Sequence, residues 1–219
     1  MADPKSFFLG ADVHEYLVAH GTPPDEVQQD LIRTTAELGG VSMMQISPEQ
    51  GTFMTVLTRL LDVHQAVEVG TFTGYSSLCI ARGLAPGGRL LCCDVSEEWT
   101  AVARGAWDAA GVADRIELRI APAIDTLRAL PVERTIDLAF VDADKPMYEA
   151  YADEILARMR PGGVLLVDNV LWGGAVVDAA ATDENTVAIR AFNDWLATDE
   201  RVETVMLPLG DGLTLARRL

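Results

Sequence analysis

Positive charge is scarce in this chain of 219 residues: 17 Lys and Arg face 33 Asp and Glu, for a formal net charge of −16. That balance argues against nucleic-acid and anionic-membrane partners, since both need a basic footprint. Cysteine is sparse too. Cys79, Cys92 and Cys93 lie in apolar runs without metal-ligand spacing, so they read as free thiols of a reducing compartment. No apolar run reaches the roughly 18 residues of a membrane span, and Met1-Ala2-Asp3-Pro4-Lys5 opens no signal-peptide core. A cytoplasmic location is expected. Repeats, low-complexity tracts and linkers are lacking, and with 49% hydrophobic and 23% charged residues the chain reads as one globular domain. Residues 1–62 would be its helical N-terminal segment and 63–219 its core.

Two anion cradles are missing as well. Neither the G-x-G-x-x-G of a dinucleotide fold nor the G-x-x-x-x-G-K-[ST] of a P-loop occurs. In their place stands Val67-Glu68-Val69-Gly70-Thr71-Phe72-Thr73-Gly74-Tyr75-Ser76. An apolar run ends in an acid and a glycine, and a second glycine opens the helix expected over Tyr75–Leu84. Strand, glycine turn and helix make the first unit of a nucleotide-binding α/β fold. Gly70 and Gly74 allow close backbone approach to a ligand, while Glu68 would repel a phosphate and face a cation. A ligand with an adenosine and a sulfonium but no pyrophosphate fits, namely S-adenosylmethionine (SAM). An ordinary strand–turn–helix corner is the plain alternative.

Before that turn the chain is helical in character. Helices are expected over Asp12–His20 and Asp25–Leu38, the second with Val27, Leu31, Thr34, Thr35 and Leu38 on one face. An irregular piece, Val41–Ile46, carries Met43-Met44, a pair read first as core filling and second as a ligand contact. Ser47-Pro48-Glu49-Gln50 then opens a helix to about Leu61, with Ser47 as N-cap and Gln50 closing a capping box.

From Ala66 the chain alternates. Apolar runs at Ala66–Val69, Arg89–Cys93, Ile116–Ile120, Ile136–Val141 and Val164–Val167 are separated by helical stretches. Five βα units imply a mostly parallel, doubly wound sheet with all strand carboxyl ends on one rim, where ligands bind. After a loop, Val170-Leu171-Trp172-Gly173-Gly174, come a helix over Asn185–Leu196 and an antiparallel hairpin, Val202–Leu207 and Leu213–Ala216, on the sheet edge.

The rim residues are polar. Asp94 closes the second strand, where such folds contact ribose hydroxyls; capping the next helix is its other reading. Asp142 ends the fourth strand, and Asp168-Asn169 the fifth. Two carboxylates and an amide without His or Cys favour Mg²⁺, or Mn²⁺ or Ca²⁺, over Zn²⁺; the alternative is capping and strand-end hydrogen bonding. Lys145, three residues beyond Asp142, would then be a base near a cation, unless it is a solvated surface lysine. Together they describe deprotonation of an alcohol or phenol whose oxygen attacks an electrophilic methyl.

On these residues the chain resembles the class I SAM-dependent O-methyltransferases, specifically the cation-dependent caffeoyl-CoA and catechol O-methyltransferase group. The matching pieces are the glycine turn, Phe140-Val141-Asp142-Ala143-Asp144-Lys145-x-x-Tyr148 and Asp168-Asn169-x-Leu171-Trp172-x-Gly174. Ser47-Pro48-Glu49-Gln50-Gly51 and Leu207-Pro208-x-Gly210-Asp211-Gly212 also resemble the family, and the likeness runs from about Met43 to Leu219. It implies a Rossmann-like seven-stranded sheet with a reversed last strand, in a homodimer. It also implies roles. Glu68, Gly70, Thr71 and Ser76 would hold the methionine and ribose side of SAM, and Asp94 the ribose hydroxyls. Ile46, Ala123 and Asp144 would line the cofactor pocket, Asp142, Asp168 and Asn169 would bind the metal, and Lys145 would be the base. Trp172 and the segment around Met43 would border the acceptor.

Three departures bear on the acceptor and cofactor. Ala121 stands where the family often has Gly, Gly173 where plant caffeoyl-CoA enzymes carry a polar contact, and no Glu lies between Thr204 and Gly210 to hold a second hydroxyl. The expected activity is Mg²⁺-dependent methyl transfer from SAM to a catechol-like or phenolic small molecule. The alternatives are a non-catalytic SAM-binding protein and an NAD-dependent oxidoreductase, which the missing fingerprint and the intact acids count against.

Overall fold

The computed structural model describes residues 10–219, so Met1–Lys5 lies outside the described residues. Three helices come first: α1 (Ala11–Ala19), α2 (Glu26–Ala36) and α3 (Pro48–Leu60). The rest alternates: β1 (Gln65–Val69), α4 (Tyr75–Gly83), β2 (Arg89–Asp94), α5 (Glu97–Ala109), β3 (Ile116–Ile120), α6 (Ala123–Ala129), β4 (Ile136–Val141), α7 (Tyr148–Arg158) and β5 (Met159–Val167). Helix α8 (Glu184–Ala197) and the hairpin β6 (Val202–Leu207) and β7 (Leu213–Arg218) close the chain.

The seven strands form one sheet in the order β3-β2-β1-β4-β5-β7-β6. Pairings among β1 to β5 are parallel, and β7 runs antiparallel to both β5 and β6. The expected mostly parallel sheet with a reversed last strand is what forms; the hairpin lies with β7 inside and β6 at the edge. Strand alternation puts two cores on the two faces. Ala66, Leu90, Leu138 and Leu166 pack toward Met54 of α3, Leu78 of α4 and Trp107 of α5. Val67, Val69, Val141 and Val167 pack toward Leu127 of α6, Ile155 of α7 and Phe192 of α8.

Four local expectations are corrected. Gln50 does not close a capping box on Ser47: its backbone N–H donates to Ser47 Oγ at 3.4 Å, but its side chain turns inward. The box forms on α2 instead, where Asp25 and Gln28 cap one another. Thr34 is exposed and so leaves the buried face of α2. Strand β5 starts at Met159, because the Pro161-Gly162-Gly163 stretch is absorbed by a register shift against Ile136 and Leu138 of β4. Met43 and Met44 fill no core: they are 86% and 44% exposed, in a 3₁₀ turn over Gly39–Met44.

Candidate active site

The ladder continues one residue past the strand ends and aligns the rim. The N–H of Ala121 donates to Asp94 O, that of Gly70 to Cys93 O, that of Asp142 to Val69 O and that of Asp168 to Val141 O, all at 2.9–3.0 Å. Ala121, Asp94, Gly70, Asp142 and Asp168 therefore stand in a row in sheet order. Above them opens a cavity of about 1070 Å³.

At one end of the cavity the glycine turn forms the wall. Gly70 has φ +88°, and a Cβ there would lie 1.9 Å from the carbonyl oxygen of Asp142, so β1 and β4 could not converge with any larger residue. Gly74, at φ +84°, would bring a Cβ to 2.5 Å from Ala103 of α5. Asp94 serves the turn itself: its Oδ2 accepts from the N–H groups of Thr71 and Phe72, both at 2.8 Å, and its Oδ1 from Ser96 N at 2.8 Å. The N-cap of α5 is Ser96. Ile46, Thr71, Ser76, Ala123 and Asp144 also line this end, and the Tyr151 hydroxyl donates to Asp144 Oδ1 at 2.7 Å. The Phe72 and Trp99 rings meet edge to face at 5.1 Å beside Asp94.

Glu68 is placed differently. It is fully buried and absent from the cavity wall, and neither carboxylate oxygen has a hydrogen-bond partner; nor does the buried Thr71 Oγ1. Burial pushes its carboxyl up to about 7 and the charge of Asp94 adds to this; the neighbouring Ser76, Thr71 and Cys92 side chains offset only part of it, because none is aligned to hydrogen-bond the carboxylate. Folded Glu68 thus holds its proton above the 4.5 of an ordinary Glu. Its contribution to stability is full below that value and is lost as pH rises through about 7. Glu68→Gln is expected to remove this loss. Thermal unfolding of the ligand-free protein should show the variant more stable than wild type by roughly 2–4 kcal/mol above pH 7 and level with it near pH 4.5. A constant difference across that range would show that Glu68 is not the group that titrates.

In the middle of the cavity the acids meet a lysine. Lys145, only 7% exposed, donates from Nζ to Asp142 Oδ1 at 3.1 Å, Asn169 Oδ1 at 2.8 Å and the Tyr148 hydroxyl at 2.5 Å. Tyr148 in turn donates to the Asp168 carbonyl at 3.1 Å. Buried Lys145 is therefore no surface lysine. Asp168 accepts from its neighbour Asn169 N on Oδ1 and from Gln50 Nε2 on Oδ2, both at 2.7 Å. Burial and the charge of Asp142 push the Asp168 carboxyl up to about 7, and burial raises Asp142 against the opposing pull of Lys145. Among the described residues no three His, Cys, Asp or Glu side chains group as a metal ligand set. What converges is two carboxylates and one amide oxygen, with an ammonium standing between Asp142 and Asn169. Oxygen donors that repel one another and gather around a cationic group suit a hard divalent ion.

Met43, Met44, Trp172, Asn185, Gly210 and Asp211 complete the wall. The backbone of Trp172, Gly173 and Gly174 is left-handed at each residue (φ +47°, +58° and +86°), and helical turn resumes toward Val177. Asp211 Oδ1 accepts from Gly173 N at 2.7 Å, and Arg190 of α8 donates to the carbonyls of Ala175, Val176 and Ala181 at 2.7–2.9 Å. Among the described residues four non-glycine residues have positive φ, and three of them, Phe72, Asn169 and Trp172, line the cavity. Strained backbone of this kind concentrates where side chains must be aimed. Every expected site residue except Glu68 borders the cavity. Sequence reasoning missed Gln50 as a site residue, along with Phe72, Trp99, Tyr151, Asn185 and Asp211.

Comparison with known proteins follows the same lines. A family model described as O-methyltransferase matches residues 19–219. The chain belongs to the O-methyltransferase family. A probable caffeoyl-CoA O-methyltransferase of Dictyostelium discoideum is 39% identical, over 93% of this chain and 90% of its own. A mouse catechol O-methyltransferase domain-containing protein is 40% identical over 82% of this chain and 69% of its own. The crystal structure of a Bacillus cereus O-methyltransferase in complex with SAH, the demethylated product of SAM, superposes with a TM-score of 0.85 at 31% identity, covering 95% of this chain and 97% of that one. The protein is thus an enzyme of the SAM-dependent O-methyltransferase type, and its fold is the methyltransferase sheet. No helix among the described residues is long and apolar enough to cross a membrane.

Proposed function

We propose that this O-methyltransferase moves the methyl group of SAM to one hydroxyl of a catechol-like small molecule and depends on Mg²⁺ or a similar divalent ion. The observation that carries the reading is the junction at Lys145, where a buried ammonium, two acids and an amide share one cavity with the glycine turn. Asp142, Asp168 and Asn169 would hold the ion. Gly70, Thr71, Ser76, Asp94, Ala123, Asp144 and Ile46 would hold SAM, with Glu68 buried behind them. When bound, the ion supplies a Lewis acid that acidifies a hydroxyl, and SAM supplies an electrophilic methyl.

The chain's own groups do the rest. Lys145, once its ammonium has released a proton to solvent, would take the hydroxyl proton at Nζ, and Asp142, Asn169 and Tyr148 fix where that nitrogen stands. Burial, reinforced by Asp142, Asp168 and Asp144, holds the Tyr148 hydroxyl well above its ordinary pKa, so Tyr148 positions and does not titrate. Trp172 and Met43 border the acceptor, and the tether from Asp211 to Gly173 keeps that wall in place. Positioning supplies much of the rate. A homodimer and a cytoplasmic location complete the reading. Exposed Val13, Tyr16 and Leu17 on α1 support the first, and three buried free thiols support the second.

The test is a paired assay with SAM and Mg²⁺. Catechols, flavonoid diols and hydroxycinnamoyl diols are offered beside the matching monophenols, and the products are followed by mass. Diols should gain one methyl and monophenols none. Equal turnover of a monophenol would remove the diol from the reading, and failure with every diol would remove the acceptor class.

A further inference from the structure

Gln50 is the polar side chain whose placement the fold does not require. It is 2% exposed, at the third position of α3, where a capping box would have used its amide on the Ser47 backbone. Instead it reaches across the cavity to a residue far away in sequence and donates from Nε2 to Asp168 Oδ2 at 2.7 Å. Its other amide atom faces the β6–β7 loop: a Cβ at Gly210 would stand 2.5 Å from Gln50 Oε1. The amide is therefore wedged between Asp168 and a loop that leaves room for it only because residue 210 has no side chain.

We propose that Gln50 is a positioning residue that sets the plane of the Asp168 carboxylate for the divalent ion. The inference rests on the cation reading above. The backbone N–H of Asn169 already engages Asp168 Oδ1, so the carboxylate is held at one oxygen by its neighbour and at the other by Gln50. With both oxygens engaged, rotation of the group is restrained, and each oxygen keeps a lone pair for the ion. Without Gln50 the carboxylate is tied at one oxygen only, and part of the geometry needed by the ion must be assembled on binding. Gln50 also lies three residues after Ser47, the N-cap of α3, which lines the cavity together with Ile46 just before it.

The experiment measures Mn²⁺ binding by calorimetry and SAH binding in parallel, for the wild-type enzyme, Gln50→Met and Gln50→Asn. Met keeps the length and loses the donor. Asn keeps an amide but withdraws it by one methylene, and it is the gentler change should Met disturb the fold. Both variants should weaken Mn²⁺ by about 10–100-fold, the usual effect of removing a partner that orients a metal ligand. SAH affinity should be unchanged, which also certifies the fold. A wild-type Mn²⁺ affinity in either folded variant overturns the inference and leaves the metal reading intact. Absence of Mn²⁺ binding to the wild-type enzyme overturns both.

Discussion

Lys145→Ala is expected to lower kcat by roughly 10²–10⁴-fold, the range lost with a positioned general base, while SAM affinity stays where it was. The expectation follows from the contacts of Nζ. Its partners are Asp142, Asn169 and Tyr148, and none of them belongs to the glycine turn or the Asp94 end of the cavity. If Lys145 served only to neutralise Asp142, the alanine variant would bind the ion differently yet reach a normal rate at saturating Mg²⁺. Lys145→Arg separates charge from proton transfer. A guanidinium keeps the charge but holds its proton at neutral pH, and a planar fork does not fit a site that engages one nitrogen on three sides. No rescue is expected from arginine. A near-wild-type kcat in that variant at saturating Mg²⁺, SAM and acceptor would show that Lys145 is a fixed charge and that the proton leaves another way.

The rim was legible because strand ends in a parallel sheet leave a mark: apolar runs stop abruptly at Asp94, Asp142 and Asp168. Since parallel crossovers put every carboxyl end on the same side, those three acids could be brought together without knowing a single contact. The strands and most helices were legible for the same reason of period and punctuation. Other features were not, and each has a physical cause. Gln50 looked like a cap because a Ser-x-x-Gln pattern is the local signal for one; a partner more than a hundred residues away overrode it. Met43 and Met44 looked like core because methionine usually packs, yet a 3₁₀ turn with no buried residue sets them on the cavity wall. The early start of β5 was hidden by Pro161-Gly162-Gly163, which normally ends a strand and here forms an irregular register. Asn185 carries no local signal, and Asp211 stands in a glycine turn whose sequence does not show that it meets the cavity; the place of each depends on how α8 and the hairpin fold back onto the rim.

Removing divalent ions with EDTA is expected to abolish turnover, and Mg²⁺ or Mn²⁺ to restore it. The electrostatics of the row explain why the effect should be large. Asp142 and Asp168 sit on adjacent strands, and each carboxyl is pushed upward by burial, Asp168 further by its neighbour's charge. Lys145 offsets part of that, but a base that must take a proton cannot also be the permanent counter-charge for two acids. An ion held by Asp142, Asp168 and Asn169 would take over that duty and would add several kcal/mol of charge stabilisation in the transition state, equivalent to roughly 10²–10⁴-fold in rate. The same ion should raise the unfolding temperature of the wild-type enzyme, because it binds the folded state alone. Asp168→Ala should lose both the thermal shift and the activity, whereas Asp94→Ala should keep the thermal shift while losing SAH affinity, since Asp94 bonds the glycine turn and not the acids. Full turnover after exhaustive chelation would refute the site outright: Asp142, Asp168 and Asn169 would then be a scaffold around Lys145, and deprotonation of the acceptor would fall to the lysine alone.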